Sequence, residues 1–358
     1  GPAGRLRRAD DRGAAVNPTG TEILTLTAYF AERERHGGRF LAEELLERYD
    51  QRSVATSVML RGIASFGPAH VVRSDRSLSL SEDPPVTLTA VDSADRIVPL
   101  ADEVAEVLDR GVLTLERGRT LPDPTSSDDV RLSVYLGRRQ RVAGAAGYLR
   151  VCEVFHRLGF LSAEVFLGVD GTVSGQRRRA RFFSRNADVP LVVVGVGTAA
   201  QADAALTELR PQLADPLITV ERNTVCKNAG RSIAEPATVS GEFLKVTVRT
   251  DEDSRHDGTP VHRALVSRLM ETDHANGATV LRSIWGYHGA QAPHGDQLLQ
   301  LARHVPVSTV IVDTAESIAA SFPVIDELTA THGLVTCEAV PAMLAVDNGR
   351  TRGGLRLE

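Results

Sequence analysis

The sequence predicts an α+β chain made of three tandem units, each with its elements in the order βαββαβ. Three observations carry this expectation. Apolar residues alternate over short runs and recur at helical spacing over longer ones, in the same order three times. The loop Glu32-Arg-Glu-Arg35-His36-Gly-Gly38 returns as Glu252-Asp-Ser-Arg255-His256-Asp-Gly258. Stretches rich in Pro, Ser and Gly, at Leu121-Pro-Asp-Pro-Thr-Ser-Ser and Asn228-Ala-Gly-Arg-Ser, separate the units. A period of roughly 110 residues is too long for a solenoid and fits a duplicated domain.

In the first unit, residues 21–121, Ile23 to Phe30 alternates like a strand. Phe40, Leu41, Leu45 and Leu46 fall at helical spacing from a start near Gly38. Val54 to Ile63 reads as a second strand, and Val86 to Val91, introduced by Pro84-Pro85, as a third. Ile97, Leu100, Val104, Val107 and Leu108 mark a second helix, and Gly111 leads into a short strand, Val112 to Leu115. The third unit, residues 241–344, repeats this order. The middle unit, residues 128–227, keeps the apolar skeleton, with strands near Val130, Leu161, Pro190 and Pro216. Residues 1–20 lack apolar periodicity and are expected to be disordered, and 345–358 form a C-terminal tail.

A βαββαβ order is the split-βαβ, ferredoxin-like arrangement, with strand three between one and two and strand one between three and four. Helices then cover one face of each sheet. With Val, Leu and Ile on both faces, the bare face needs cover, which three inward-facing sheets around a pseudo-threefold axis supply within one monomeric chain.

Composition narrows the function. A net charge of -5 gives no reason to expect nucleic acid as a partner. No apolar run reaches the ~20 residues of a membrane helix and no signal segment is visible, so a cytoplasmic location is expected. Cys152, Cys226 and Cys337 lie far apart and read as reduced structural thiols. The histidines, His288 and His294 among them, match no tight ligand spacing, so no metal is expected. No phosphate-binding loop, nucleophile elbow or His-Glu-x-x-His motif is present; no catalysis and no required cofactor are expected. Trp285 beside Gly286 suits either an adenine stack or a half-buried strand end. The run Gln176-Arg-Arg-Arg-Ala-Arg181 reads as a solvated loop, with contact to an acidic partner as the alternative, and Phe182 and Phe183 as packing residues.

Strands one and two of each unit end on the same edge of the sheet. That edge gathers Arg35, His36, Gly38, Arg61, Gly62, Phe66 and Gly67, with Arg255, His256 and Arg282 as third-unit counterparts. Arginine forks, glycine backbone and a helix N-terminus together suit a small-molecule anion, and a nucleotide phosphate in particular. The alternatives are structural: Arg61 pairing with Glu82 or Asp83, Gly62 as a bulge, Gly37-Gly38 as a tight turn. Asp92 and Asp313 end their third strands on the opposite edge, either reaching a neighbour's cleft or capping the helices that follow.

The motifs Leu-Thr-x-Tyr-Phe-x-Glu-Arg-x-Arg-His-Gly-Gly, Met-Leu-Arg-Gly-Ile-x-x-Phe-Gly, Leu-Ser-Glu-Asp-x-Pro-Val and Val-Asp, in that order in the first unit, resemble the family known as domain of unknown function 190, grouped with PII-like signalling proteins. The third unit keeps part of the pattern, with Ser283 for Gly62. In the middle unit Arg138 replaces the Glu, Val142 the His, Gly168 the Arg and Gly197 the Asp. The resemblance implies a trimeric ferredoxin-like ring with small-molecule clefts between units. It also implies an adenine nucleotide as ligand, and inter-strand loops that dock on a protein partner such as a membrane transporter or an enzyme. Erosion of the middle unit implies fewer than three ligands per chain, with the junction of units one and three as the favoured site. A ligand-free scaffold is the competing expectation, and a metal-handling or enzymatic relative a third.

Overall fold

A computed structural model describes residues 20–67, 73–74, 83–179, 188–289, 291–295 and 305–357. Residues 1–19 of the segment expected to be disordered, Leu80 to Glu82, and Arg181 to Phe183 lie outside the described residues.

The chain is α+β, with mostly antiparallel strands. The first unit contains β1 (Glu22–Ala31), α1 (Leu41–Gln51), β2 (Thr56–Arg61), a short β3 (Ala64–Phe66), β4 (Pro85–Asp92), α2 (Ala94–Val107) and β5 (Arg110–Arg119). The second contains β6 (Asp129–Gly137), α3 (Gly147–Arg157), β7 (Ser162–Leu167), β8 (Asp170–Val173), β9 (Pro190–Thr198), α4 (Ala199–Leu209) and β10 (Leu217–Asn228). The third contains β11 (Phe243–Asp251), α5 (Val261–Thr272), β12 (Ala278–Arg282), β13 (Trp285–His288), β14 (Pro306–Thr314), α6 (Ala315–Leu328) and β15 (Leu334–Val340). A final hairpin, β16 (Ala342–Asp347) and β17 (Arg350–Gly354), follows.

Within each unit the ladder runs second, third, first, fourth strand: β2–β4–β1–β5, β7–β9–β6–β10 and β12–β14–β11–β15. Alternate residues of each first strand point under the helices. Leu24, Leu26 and Ala28 join Leu41, Leu45, Ile97 and Leu100 in the first core, and the other units build matching cores.

The short strand after each second strand leaves its own unit. β3 pairs with β12 of the third unit, β13 with β7 of the second, and β8 with β2 of the first. Each unit therefore extends one neighbour's sheet, and the exchange closes in a circle. Fourth strands do the same at the other edge: Val220 pairs Arg119, the far half of β10 pairs β15, and β16 pairs β5. Sheet edges that would otherwise be open templates are thereby covered.

Two expectations are refined here. The face of the sheets turned from the helices is mixed: Ile23, Val58, Val91, Phe166, Val192 and Leu281 pack there as an apolar cluster, and polar residues share it. Thr25, Thr27 and Tyr29 of β1 line a central cavity of about 120 Å³ with Arg131, Ser133 and Tyr135 of β6 and Lys245, Thr247 and Arg249 of β11. The segment from residue 345 is not a loose tail, because Met343 is fully buried and the hairpin completes the edge of β5. Its turn, Asn348-Gly349, has positive φ at both central residues (49° and 84°), the two-residue type I′ turn that Asn-Gly favours.

Candidate ligand cleft between the first and third units

The loop after each first strand is the same two-residue turn. Its central residues have φ of 56° and 84° at Gly37 and Gly38, 49° and 85° at Ala143 and Gly144, and 48° and 80° at Asp257 and Gly258. A Cβ on Gly38 would meet nothing within 4 Å, so Gly38 serves backbone conformation and not close ligand approach. Arg35 donates to the Gly38 carbonyl at 2.9 Å and lies 4.1 Å over the Phe40 ring; Arg255 donates to the Gly258 carbonyl at 2.7 Å. His36 lies 3.9 Å from Asp109, and His256 3.5 Å from Asp257.

Arg61 Nε donates to Glu32 Oε1 at 2.7 Å, and Arg282 Nη2 to Glu252 Oε1 at 2.6 Å. The expected partners were Glu82, which lies outside the described residues, and Asp83, which accepts the Arg33 backbone N–H at 2.7 Å. The recurrence of Glu and Arg in units one and three is thus the recurrence of an ion pair. In the middle unit both members are gone. The register aligns Arg138 with Glu32, and Leu167 with Arg61; Gly168 matches Gly62 instead. Gly62 is packed: a Cβ there would lie 2.7 Å from Pro85 Cγ and 2.9 Å from the Val280 carbonyl oxygen. Six of the motif residues (Arg35, His36, Arg61, Arg255, His256 and Arg282) therefore have partners within their own loops or units.

Phe66 and Gly67 do reach a cleft. It has a volume of about 390 Å³ and lies between units one and three. Tyr29, Phe30 and Phe66 give it an aromatic wall, and Gly67, Gly111 and Gly277 leave backbone exposed along the floor. Gly111 is required: its φ is 149°, and a Cβ would run into the Tyr29 carbonyl oxygen. Burial, reinforced by Glu116, pushes the Tyr29 hydroxyl far up, so it stays protonated.

Cations stand at the mouth. Arg110 Nε lies 3.3 Å from Asp347 Oδ1, and Arg352 Nη2 donates to Asp313 Oδ1 at 2.9 Å. Arg350 is exposed and makes no ion pair among the described residues. Fully buried Asp313 also accepts the backbone N–H groups of Thr314 (2.8 Å) and Asn276 (2.9 Å). Asp92 likewise holds Ser93 and Ala55, each at 2.8 Å. The helix N-caps are the following residues, Ser93 and Thr314. Asp313 thus holds Arg352 and Asn276, which line the cleft formed by its own unit and the first. Sequence reasoning missed Arg110, Asn276, Arg350 and Arg352; the Asn348-Gly349 turn between alternating runs was the available signal for the hairpin.

The basic run of the middle unit is a clamp between units. Arg177 forks onto Asp170 (2.8 Å) and Glu43 of α1 (3.0 Å), and Arg179 reaches Glu43 at 3.1 Å. Among the described residues no cluster of His, Cys, Asp or Glu is placed to hold a metal ion, and no helix is long and apolar enough to cross a membrane. Trp285 pairs with Val165 of the second unit as a half-buried strand residue.

The DUF190 family, described as "Uncharacterized ACR", matches the chain three times, over residues 23–120, 129–225 and 243–342. The chain belongs to this family. A UPF0166 protein of Aquifex aeolicus (strain VF5) is 35% identical over 92 residues, which cover 25% of this chain and 84% of that protein. An aspartate kinase structure from Synechocystis aligns with a TM-score of 0.29 at 12% identity, covering 92% of this chain and 46% of the kinase chain. The cleft described above lies between the first and third family repeats.

Proposed function

We propose that this DUF190 protein is a non-enzymatic, PII-like sensor: a ferredoxin-like, single-chain pseudo-trimer that binds an adenine nucleotide or a related anion between its units. Through its inter-strand loops it regulates a protein partner, of which a membrane transporter or an enzyme is the expected kind. The circular exchange of β3, β8 and β13 supports the ring. The observation that carries the ligand reading is the cleft between units one and three. Its volume is within the ~300–1,000 Å³ of small-molecule sites, with an aromatic wall for a flat ring and Arg350 at its mouth for an anion.

Calorimetry of the full chain against ATP, ADP, AMP and cyclic nucleotides tests this. Binding that falls at least tenfold in Arg350→Glu supports the sensor; absence of heat with every nucleotide rejects it. A second reading, a ligand-free scaffold, is favoured by one observation: Arg61 and Arg282 are already paired with Glu32 and Glu252. It predicts that no nucleotide shifts the melting temperature.

A further inference from the structure

The registers place equivalent residues at three junctions between units, and the junctions differ. The position of Arg110 is taken by Asp215 in the second unit and His332 in the third; that of Gly111 by Pro216 and Gly333. The position of Gly67 is taken by Val173 and His288; that of Gly277 by Thr56 and Ser162.

Side chains therefore fill what glycines leave open. The junction of units two and one, lined by Thr56, Val173, Asp215 and Pro216, holds a cavity of about 180 Å³, against about 390 Å³ between units one and three. Its charge is also reversed, because a carboxylate stands where Arg110 stands. At the junction of units three and two, His288 is tied to Asp251 at 3.1 Å, and Gln291 donates to the same carboxylate at 3.2 Å. There the side chains that replace Gly67 and Ala31 stand 3.1 Å apart in that space.

The hairpin is a second, independent difference. β16 follows the neighbouring fourth strand as far as Asp347 opposite Arg110 before turning. The corresponding end of β10 stops at Asn228 opposite Leu334, the match of Val112, so it turns back two positions earlier. Arg350 and Arg352 come from the longer hairpin; the shorter one carries Arg231 and Ile233 at the matching places, two positions back along the strand.

We infer that the chain binds one ligand, at the junction of units one and three. The ligand class is a mononucleotide-like anion, with its flat ring toward Phe30 and Phe66 and its phosphate toward Arg350 and Arg110. This rests on the sensor reading above. The other two junctions act as structural seams, closed by Pro216 and Asp215 in one and by His288 and Asp251 in the other.

Calorimetry of the full chain with AMP and with ATP reads the stoichiometry. The expected result is one nucleotide per chain, weakened at least tenfold by Arg350→Glu and Arg110→Ala, and unchanged by Asp215→Ala and His332→Ala. Arg350 is exposed, so its variant tests the site without risk to folding; circular dichroism melts confirm the fold of each variant. A stoichiometry of two or three, or binding that His332→Ala abolishes while Arg350→Glu leaves intact, overturns the single-site inference and leaves the sensor reading standing. No binding by any nucleotide removes both.

Discussion

Arg131 Nε lies 2.7 Å from Glu338 Oε1, joining the first strand of unit two to the last strand of unit three where the sheets meet. Arg131 also reaches Glu116 of unit one at 2.9 Å. Lys245 bonds Glu116 and Glu338, the latter at 2.9 Å. Glu116, Glu221 and Glu338 are equivalent residues of β5, β10 and β15, and Thr25, Arg131 and Lys245 lie opposite them on β1, β6 and β11. Three buried carboxylates thus face two cations and a threonine. The surplus carboxylate is Glu221, whose oxygens have no hydrogen-bond partner and whose nearest cation, Arg131, is 3.8 Å away.

The imbalance predicts a pH dependence of stability. Burial pushes the Glu221 carboxyl up; Arg131 opposes this, while Glu338 and Glu116 add to it. Burial also works against ionisation of Glu338, but Arg131 and Lys245 override it and pull the group down to about 2. The ordinary value for both is 4.5. A raised acid stabilises the fold fully below its unfolded value and loses that contribution as pH rises through its folded value. A lowered acid stabilises above its unfolded value and loses that contribution as pH falls through its folded value. Stability should therefore rise as pH falls through the raised Glu221 value toward 4.5, then decline toward about 2. Glu221→Gln should flatten the first slope in melts taken across this range. A variant profile parallel to that of the parent protein would reject the assignment.

Breaking the network should cost far more than neutralising its surplus. Arg131→Met leaves Glu338 and Glu116 with Lys245 alone in a buried site, and the expected loss is about 3–5 kcal/mol. Glu221→Gln should be neutral within about 1 kcal/mol or stabilising. Urea denaturation of the two variants measures both; equal losses would mean that Glu221 is paired.

Thr25→Lys tests the same imbalance from the other side. Thr25 lines the central cavity, faces Glu116 in the ladder, and has a hydroxyl without a partner. A lysine there supplies the third cation. The expected gain at neutral pH is on the order of 1 kcal/mol, together with loss of the slope assigned to Glu221. A lower melting temperature at every pH would show that the cavity cannot take the longer side chain.

Much of the fold was legible because period and turn chemistry are local. The alternation of Leu24, Leu26 and Ala28 and the helical spacing of Ile97, Leu100 and Val104 each need only a short window of sequence. The cleft was less legible because its residues meet only after the units exchange strands. Arg110, Asn276 and Arg350 come from parts of the chain that share no motif. The motif residues carry a structural account beside the functional one: a turn with two positive φ values and a Glu–Arg pair are needs that recur as faithfully as a binding site would. The central network was invisible for a similar reason, since Thr25, Arg131 and Lys245 share no motif and only the register makes them equivalent.

Removal of the terminal hairpin should separate its two roles. Truncation after Val340 takes away β16 and β17, and with them Arg350 and Arg352. It leaves the edge of β5 from Arg110 to Leu115 without a partner strand. It also removes fully buried Met343, whose loss costs about 1.5–3 kcal/mol, and leaves Asp313 without its arginine. An open strand edge pairs with other chains. The truncated protein should melt lower, self-associate in light scattering and lose nucleotide binding. Arg352→Ala in the full chain keeps the edge covered, so it should weaken binding without self-association. A truncated protein that stays monomeric and binds nucleotide as tightly as the full chain would show that the hairpin neither seals the sheet nor builds the cleft.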